Sequence, residues 1–266
     1  MTIDEYLRLF EAAGDAVRVG EASTTYLYCP SAAAEIRDFS PDARIIIMLR
    51  DPIAVMYAQH AGRVWVGQQP IRDFAAALEA QDRQRSGLEP PGPPGSLPYY
   101  RAIVDYATDV ERYFGTFGRD RVHVILFDDW AADTVTEYRK TLEFLEVDPS
   151  FAPELGVVNA NLRVRSERRL EVIADPPTTL SRVARPLPAP LRRRLRRVAL
   201  RMNTRRAPRE PLDPHLVERL RVELAPEIER LSKLLGRDLS AWTGAVEKTT
   251  ASDVTRDDAR VGIPSR

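Results

Sequence analysis

The sequence has one cysteine, three histidines and three lysines in 266 residues. Cys29 alone cannot close an intramolecular disulfide, so the fold must hold by packing, and a reducing compartment is expected. His60, His123 and His215 lie far apart, and with a single Cys they offer no ligand cluster for a metal. No run approaches the roughly 18 apolar residues of a membrane span. Met1-Thr2-Ile3-Asp4-Glu5 has neither a basic n-region nor a signal-type core, so a cytoplasmic protein is expected. Net charge is zero, and no global field calls for nucleic acid or a membrane surface. Lys140, Lys233 and Lys248 are the lysines among 39 basic residues; the others are arginine, a bias that with the Ala and Pro content points to a GC-rich genome.

What is present is a hydrophobic content of 44%, enough for one sizeable core. The most informative segment is Ile45-Ile46-Ile47-Met48-Leu49-Arg50-Asp51-Pro52. Its continuous apolar run predicts a strand buried on both faces, as inside a parallel sheet. Asp51 can cap a following helix and Pro52 fits its first turn. Arg50 therefore sits at the carboxyl end of a strand beside a helix N-terminus, where open α/β sheets bind anionic ligands. The residue either receives such a ligand or pairs with a neighbouring carboxylate.

Around this segment the pattern alternates. A helix is predicted over Asp4–Ala13, a short strand over Val17–Glu21, and a helix over Ser31–Phe39. Further helices are predicted over Pro52–Trp65 and Ile71–Arg85. Glu89–Gly95, rich in Pro and Gly, breaks the chain. Tyr99–Phe117 reads as one long amphipathic helix, Arg121–Phe127 as a second buried strand, and Thr134–Leu145 as a helix. After Pro149 no strand signal remains; Leu180–Met202 and Pro214–Leu235 read as C-terminal helices. Such alternation predicts a parallel, helix-covered sheet. One domain is expected over 1–243, with a core over about 1–170 and C-terminal helices over about 176–243. Residues 244–266 are expected to be a disordered tail.

Several segments in order carry a family resemblance. They are Gly20-Glu21-Ala22-Ser23-Thr24-Thr25-Tyr26-Leu27, Phe39-Ser40-Pro41-Asp42-Ala43-Arg44, and Leu49-Arg50-Asp51-Pro52 with Tyr57 downstream. Val124-Ile125-Leu126-Phe127-Asp128-Asp129-Trp130, Thr141–Pro149 and Leu234–Trp242 continue the pattern. Together they resemble the sulfotransferase family, in its bacterial and heparan-sulfate-type branch. The resemblance implies a P-loop-type α/β fold that binds 3′-phosphoadenosine 5′-phosphosulfate and moves its sulfonate to an acceptor hydroxyl of a carbohydrate, lipid or small metabolite. No metal is expected, the neutral charge argues against a nucleic-acid partner, and the sheet edge left bare by a missing first unit admits a homodimer.

By that resemblance Arg50 holds the donor's 3′-phosphate, a task suited to a planar, permanently charged fork. The Ser expected eight residues later is Ala58 here. Phe127 falls where relatives place an aromatic near adenine, or is simply a core residue. Asn159, Asn161, Arg163, Arg165 and Arg168 fall in the segment that crosses the donor, and Arg163 and Arg165 are its phosphate candidates, a solvated loop being the alternative. The Lys-x-Gly-Thr-Thr loop that cradles the 5′-phosphosulfate has no counterpart in the sequence. Met1 enters the pattern just before the second strand, so the fold is expected to be N-terminally truncated, by a gene-start error or a real loss. The catalytic base is unassigned. Glu21 and His60 are the available candidates, against structural roles for both. The alternative function is a non-catalytic nucleotide- or partner-binding remnant of the fold. The arginine run Arg192–Arg206 is a cationic amphipathic helix that either attracts an anion or faces solvent.

Overall fold

In the computed structural model of the chain, residues 2–88, 90, 99–154, 162–174, 191, 195, 198–199, 202–206 and 210–244 are described. The fold is a helix-rich α/β arrangement around a small parallel sheet of β1 (Ile45–Leu49) and β2 (Val122–Leu126). The two strands run in register, with Ile45 beside Val122 and Leu49 beside Leu126. Between them come α3 (Pro52–Trp65), α4 (Phe74–Arg85) and α5 (Tyr106–Phe117). Before β1 lie α1 (Ile3–Leu7) and α2 (Ala32–Phe39); after β2 come α6 (Phe127–Ala132) and α7 (Thr134–Leu145). The later elements are β3 (Leu162–Val164), α8 (Glu167–Ala174), β4 (Thr204–Arg206), α9 (Pro214–Leu235) and α10 (Ser240–Thr243).

Local chemistry sets the helix limits. Asp51 Oδ1 accepts the Ala54 N–H at 2.8 Å and Pro52 opens α3; Asp73 and Asp133 cap α4 and α7 in the same way. Gly236, with φ +65°, ends α9 in the left-handed conformation that glycine adopts without penalty. Asp105 gives α5 no side-chain cap. Glu227 of α9 supplies one from a distance, its carboxylate accepting the Ala107 N–H at 2.6 Å.

The core forms where α9 closes over the sheet and α5. Leu216, Leu220, Leu224, Ile228 and Leu231, at successive helical turns, join Ile47, Leu49, Val110, Tyr113 and Leu126 in one buried cluster. The C-terminal helix thus belongs to the same core as the sheet. Each such buried side chain contributes about 1.5–3 kcal/mol.

Several expectations are corrected. β1 is not buried on both faces: Ile47 and Leu49 are covered, but Ile46 is 43% and Met48 48% exposed. His123 and Ile125, their register partners, lie on the face covered by α7, where His123 stacks on Phe144 at 5.2 Å. α7 covers β2 on this face but leaves β1 bare. Val17–Glu21 forms no strand and is exposed, because extended backbone becomes a strand only with a hydrogen-bonded partner. The N-terminal helix is α1 followed by a 3₁₀ stretch at Arg8–Ala13, and the Tyr99–Phe117 helix divides into a 3₁₀ turn at Arg101–Val104 and α5. Asp105, with ψ 58°, interrupts the helical hydrogen bonding there. The helix predicted from Ile71 begins at Phe74, after the Asp73 cap. Strands do occur after Pro149, since β3 and β4 pair antiparallel, with Arg163 beside Arg205. Most of the Glu89–Gly95 break, most of Leu180–Met202 with its arginine run, and the 245–266 part of the predicted tail lie outside the described residues.

Candidate functional site

The parallel register determines what meets at the carboxyl edge of the sheet. Leu49 and Leu126 are partners, so the next residue of each strand, Arg50 and Phe127, are brought together. The Arg50 guanidinium carbon lies 4.5 Å from the centre of the Phe127 ring. This cation–π contact holds the guanidinium against the ring. Phe127 is the first residue of α6 rather than the last of the strand. Arg50 is exposed, and its side chain makes no hydrogen bond or ion pair among the described residues.

Arg50 opens into a cleft of about 480 Å³ between α3 and the start of α9. Asp51, Ala54 and Tyr57 form the α3 side; Glu210, Val217 and Arg221 form the opposite wall. The walls are tied together by the Tyr57 hydroxyl, which donates to the Glu210 carbonyl at 3.1 Å. Below, Asp128 Oδ2 accepts the indole N–H of Trp242 at 2.7 Å, and Asp129 Oδ2 receives Arg237 at 2.7 Å. The acidic pair after β2 therefore anchors the C-terminal Leu-Gly-Arg-Asp-Leu-Ser-Ala-Trp segment. These are two of the segments that carried the family resemblance, and they are bonded to each other.

The electrostatics are mixed. Burial raises the Asp51 carboxyl above the usual carboxylate range, opposed by the backbone N–H groups of Ala54 and Ile53 and by the nearby Arg221 charge. Asp51 thus occupies part of the α3 N-terminus that sequence reasoning left open for an anion. Below it, the buried Tyr106 phenol is raised by desolvation, with the Asp51 charge adding to the effect.

The remaining sequence candidates are dispersed. His60 is 2% exposed and lies in the core, with Nδ1 3.0 Å from the Tyr100 hydroxyl and Nε2 2.9 Å from the Arg72 carbonyl. Burial lowers its pKa, and it does not line the cleft. Glu21 is exposed, also outside the cleft lining, and accepts a hydrogen bond from the Tyr26 hydroxyl. That bond, with desolvation, pushes the Tyr26 phenol up to about 12. Arg163 lies in β3, its side chain outside the described residues; Arg165 is exposed, with its N–H donated to the Asn203 carbonyl at 2.7 Å. Neither is among the described residues lining the cleft. Asn159 and Asn161 lie outside the described residues, and Arg168 is exposed on α8. Ala58 follows Ala54 by one turn of α3 and supplies no hydroxyl. Lys140 and Lys233 pair with Glu137 and Glu229 on their own helices, and Lys248 is outside the described residues.

Sequence reasoning missed Arg221. Its signal was its spacing of four from Val217, on the flank of the Leu216–Leu231 apolar stripe. No group of three or more metal-ligating side chains occurs among the described residues, and no helix among them is long and apolar enough to cross a membrane.

No protein-family model matches the chain. No curated protein matches it either. Among solved structures, it is similar to a sulfotransferase from Alicyclobacillus acidocaldarius, with 31% identity and a TM-score of 0.60. The match covers 91% of this chain and 74% of that one.

Proposed function

Given that the chain belongs to the sulfotransferase family, we propose that its cleft binds 3′-phosphoadenosine 5′-phosphosulfate, or the bisphosphate product, through the 3′-phosphate. The acceptor is a hydroxyl on a carbohydrate, lipid or small metabolite. The observation that carries this reading is Arg50: a guanidinium at the carboxyl end of a parallel strand, held over the Phe127 ring and with its donors uncommitted among the described residues. A planar fork of this kind suits a phosphate dianion bidentately. The cleft volume lies within the range of small-molecule sites.

In this reading the donor supplies the sulfonate, and the chain's own residues bind and orient it. Arg50 holds the 3′-phosphate, Phe127 holds Arg50, and Tyr57 keeps the Glu210 wall in place. Arg163 and Arg165 remain candidates for closing over the donor from the β3 segment. His60, with both ring nitrogens engaged in the core, is given no role as a base, and Glu21 is assigned to bracing the Tyr26 loop.

Calorimetric titration with 3′,5′-adenosine bisphosphate and with adenosine 5′-monophosphate tests the proposal. The wild type is expected to prefer the bisphosphate, and Arg50→Ala to abolish that preference. Equal affinity of the wild type for the two nucleotides would refute it.

A second reading is favoured by the lysines. Neither Lys140 nor Lys233 reaches the cleft, so among the described residues no lysine is placed at the transferring group. On this reading the chain binds the nucleotide without transferring sulfonate. Labelled-sulfonate transfer to phenols, sugars and lipids separates the two: turnover supports the enzyme, and binding without turnover the nucleotide-binding module. A missing donor to a developing negative charge typically costs about 10²–10³ in rate.

A further inference from the structure

Arg50 is not the only arginine of the cleft whose donors are uncommitted among the described residues. Arg221, on α9, lines the same cavity and likewise makes no hydrogen bond or ion pair among the described residues. Most other arginines near α9 are committed: Arg101 to Asp82 and Glu223, Arg230 to Glu111 and Glu227, Arg237 to Asp129. Two guanidiniums with uncommitted donors thus line one cavity, and their like charges favour an anion there. Asp51 acts on Arg221 through its charge, but no acid of the cleft hydrogen-bonds to either guanidinium among the described residues. Asp51 Oδ1 is taken by the Ala54 N–H, and Asp128 Oδ2 by the Trp242 indole. The Tyr57 hydroxyl binds the Glu210 main-chain carbonyl, and the Glu210 residue has further contacts of its own.

The protein makes room for Arg221. Gly244, the C-cap of α10 with φ +78°, presents a bare Cα to the guanidinium. A Cβ there would lie 2.8 Å from Arg221 Nη1, 3.0 Å from Cζ and 3.1 Å from Cδ. Any larger residue at 244 would have to push the Arg221 head away. The α10 turn is itself held by the Trp242–Asp128 bond, so Arg221 is buttressed from the same side chain that floors the cleft.

We infer that Arg221 is a second phosphate-binding arginine of the cleft, sharing with Arg50 the 3′-phosphate of the nucleotide, and that Gly244 sets its position. This rests on the nucleotide reading proposed above. Two guanidiniums on one dianion balance its charge, which a single arginine cannot do. The sequence shows Arg221 as part of an ordinary amphipathic helix, and only the fold brings it to the cavity that Arg50 lines.

The test is calorimetric titration of 3′,5′-adenosine bisphosphate and adenosine 5′-monophosphate into the full chain and into Arg221→Gln, Gly244→Ala and Arg50→Ala. Arg221→Gln is expected to weaken bisphosphate binding by on the order of 10- to 100-fold while leaving the monophosphate within about 2-fold, as expected when only a 3′-phosphate contact is lost. Gly244→Ala keeps every charged group and displaces Arg221, so it should reproduce part of that loss, and adding it to Arg221→Gln should change nothing further. If Arg221→Gln or Gly244→Ala binds the bisphosphate as tightly as the wild type while Arg50→Ala does not, Arg221 is not a ligand of the phosphate and only this inference falls. If the wild type itself does not distinguish the two nucleotides, the nucleotide reading falls and takes this inference with it.

Discussion

Trp242 and Asp128 are joined by an indole N–H to carboxylate hydrogen bond of 2.7 Å, spanning 114 residues of chain. Trp242 is buried, whereas Asp128 reaches the cleft. The pair therefore connects the core closure by α9 and α10 to the floor of the candidate site. Arg237 and Asp129 repeat the connection at the surface.

Asp128→Ala should destabilise the protein by about 1–3 kcal/mol, because it leaves the Trp242 N–H buried without an acceptor. Asp128→Asn retains an acceptor oxygen and should cost less than about 1 kcal/mol. Urea unfolding of the two variants checks this, and equal midpoints would show that the bond contributes nothing.

Phe127→Leu keeps an apolar side chain but removes the ring under Arg50. An exposed cation–π contact contributes about 0.5–1 kcal/mol, so affinity for 3′,5′-adenosine bisphosphate should fall by about 2- to 5-fold. An intact melting temperature with unchanged affinity would mean that the ring does not position Arg50.

Asp109 carries a pH dependence with a definite sign. It is buried on α5, where desolvation pushes its carboxyl up to about 7, with Asp105 and Glu227 adding to the effect and Arg112 opposing it. Its Oδ2 has no hydrogen-bond partner. A carboxyl whose pKa is higher folded than unfolded stabilises the protein below the unfolded value, about 4, and that contribution is lost as pH rises through about 7. Asp109→Asn removes this titration. The wild-type stability minus that of Asp109→Asn should therefore fall as pH rises from about 4 to 7 and then level off. Thermal unfolding across that range measures it, and a difference independent of pH would contradict the assignment.

Ile46 and Met48 expose an apolar strip on β1, whose second edge has no strand partner among the described residues. Such an edge invites pairing with another chain. The protein should self-associate at tens of micromolar by sedimentation velocity, and Ile46→Thr/Met48→Lys should shift it to monomer with little change in stability. A wild type that is monomeric throughout would count against the strip as a contact surface.

The sequence revealed those elements whose signals are local. β1, α3, α7 and α9 follow from apolar runs bounded by Asp51-Pro52, Asp133, Asp213-Pro214 and Gly236, where cap and periodicity agree. Arg50 was legible for the same reason, since a strand end and a helix cap adjoin it. What depends on distant neighbours was not. The exposure of Ile46 and Met48 is set by how far α7 extends over the sheet, not by their own apolar character. β3 and β4 are three residues each, too short for any period to show. Phe127 looked like a strand residue because its apolar run passes without a break into α6, and Arg221, one of many arginines on an amphipathic helix, carries no local sign of the cleft it lines.

The floor and far wall of the cleft come from residues that leave the ribosome long after Arg50. While α9 is still being synthesised, the Arg50 edge has neither the Tyr57–Glu210 tie nor the Trp242–Asp128 floor beneath it. Contacts this distant along a chain form late, since the loop between them must close first. Any ligand that spans this cleft would therefore favour chains whose C-terminal helix has docked, adding its binding energy to the folded state alone.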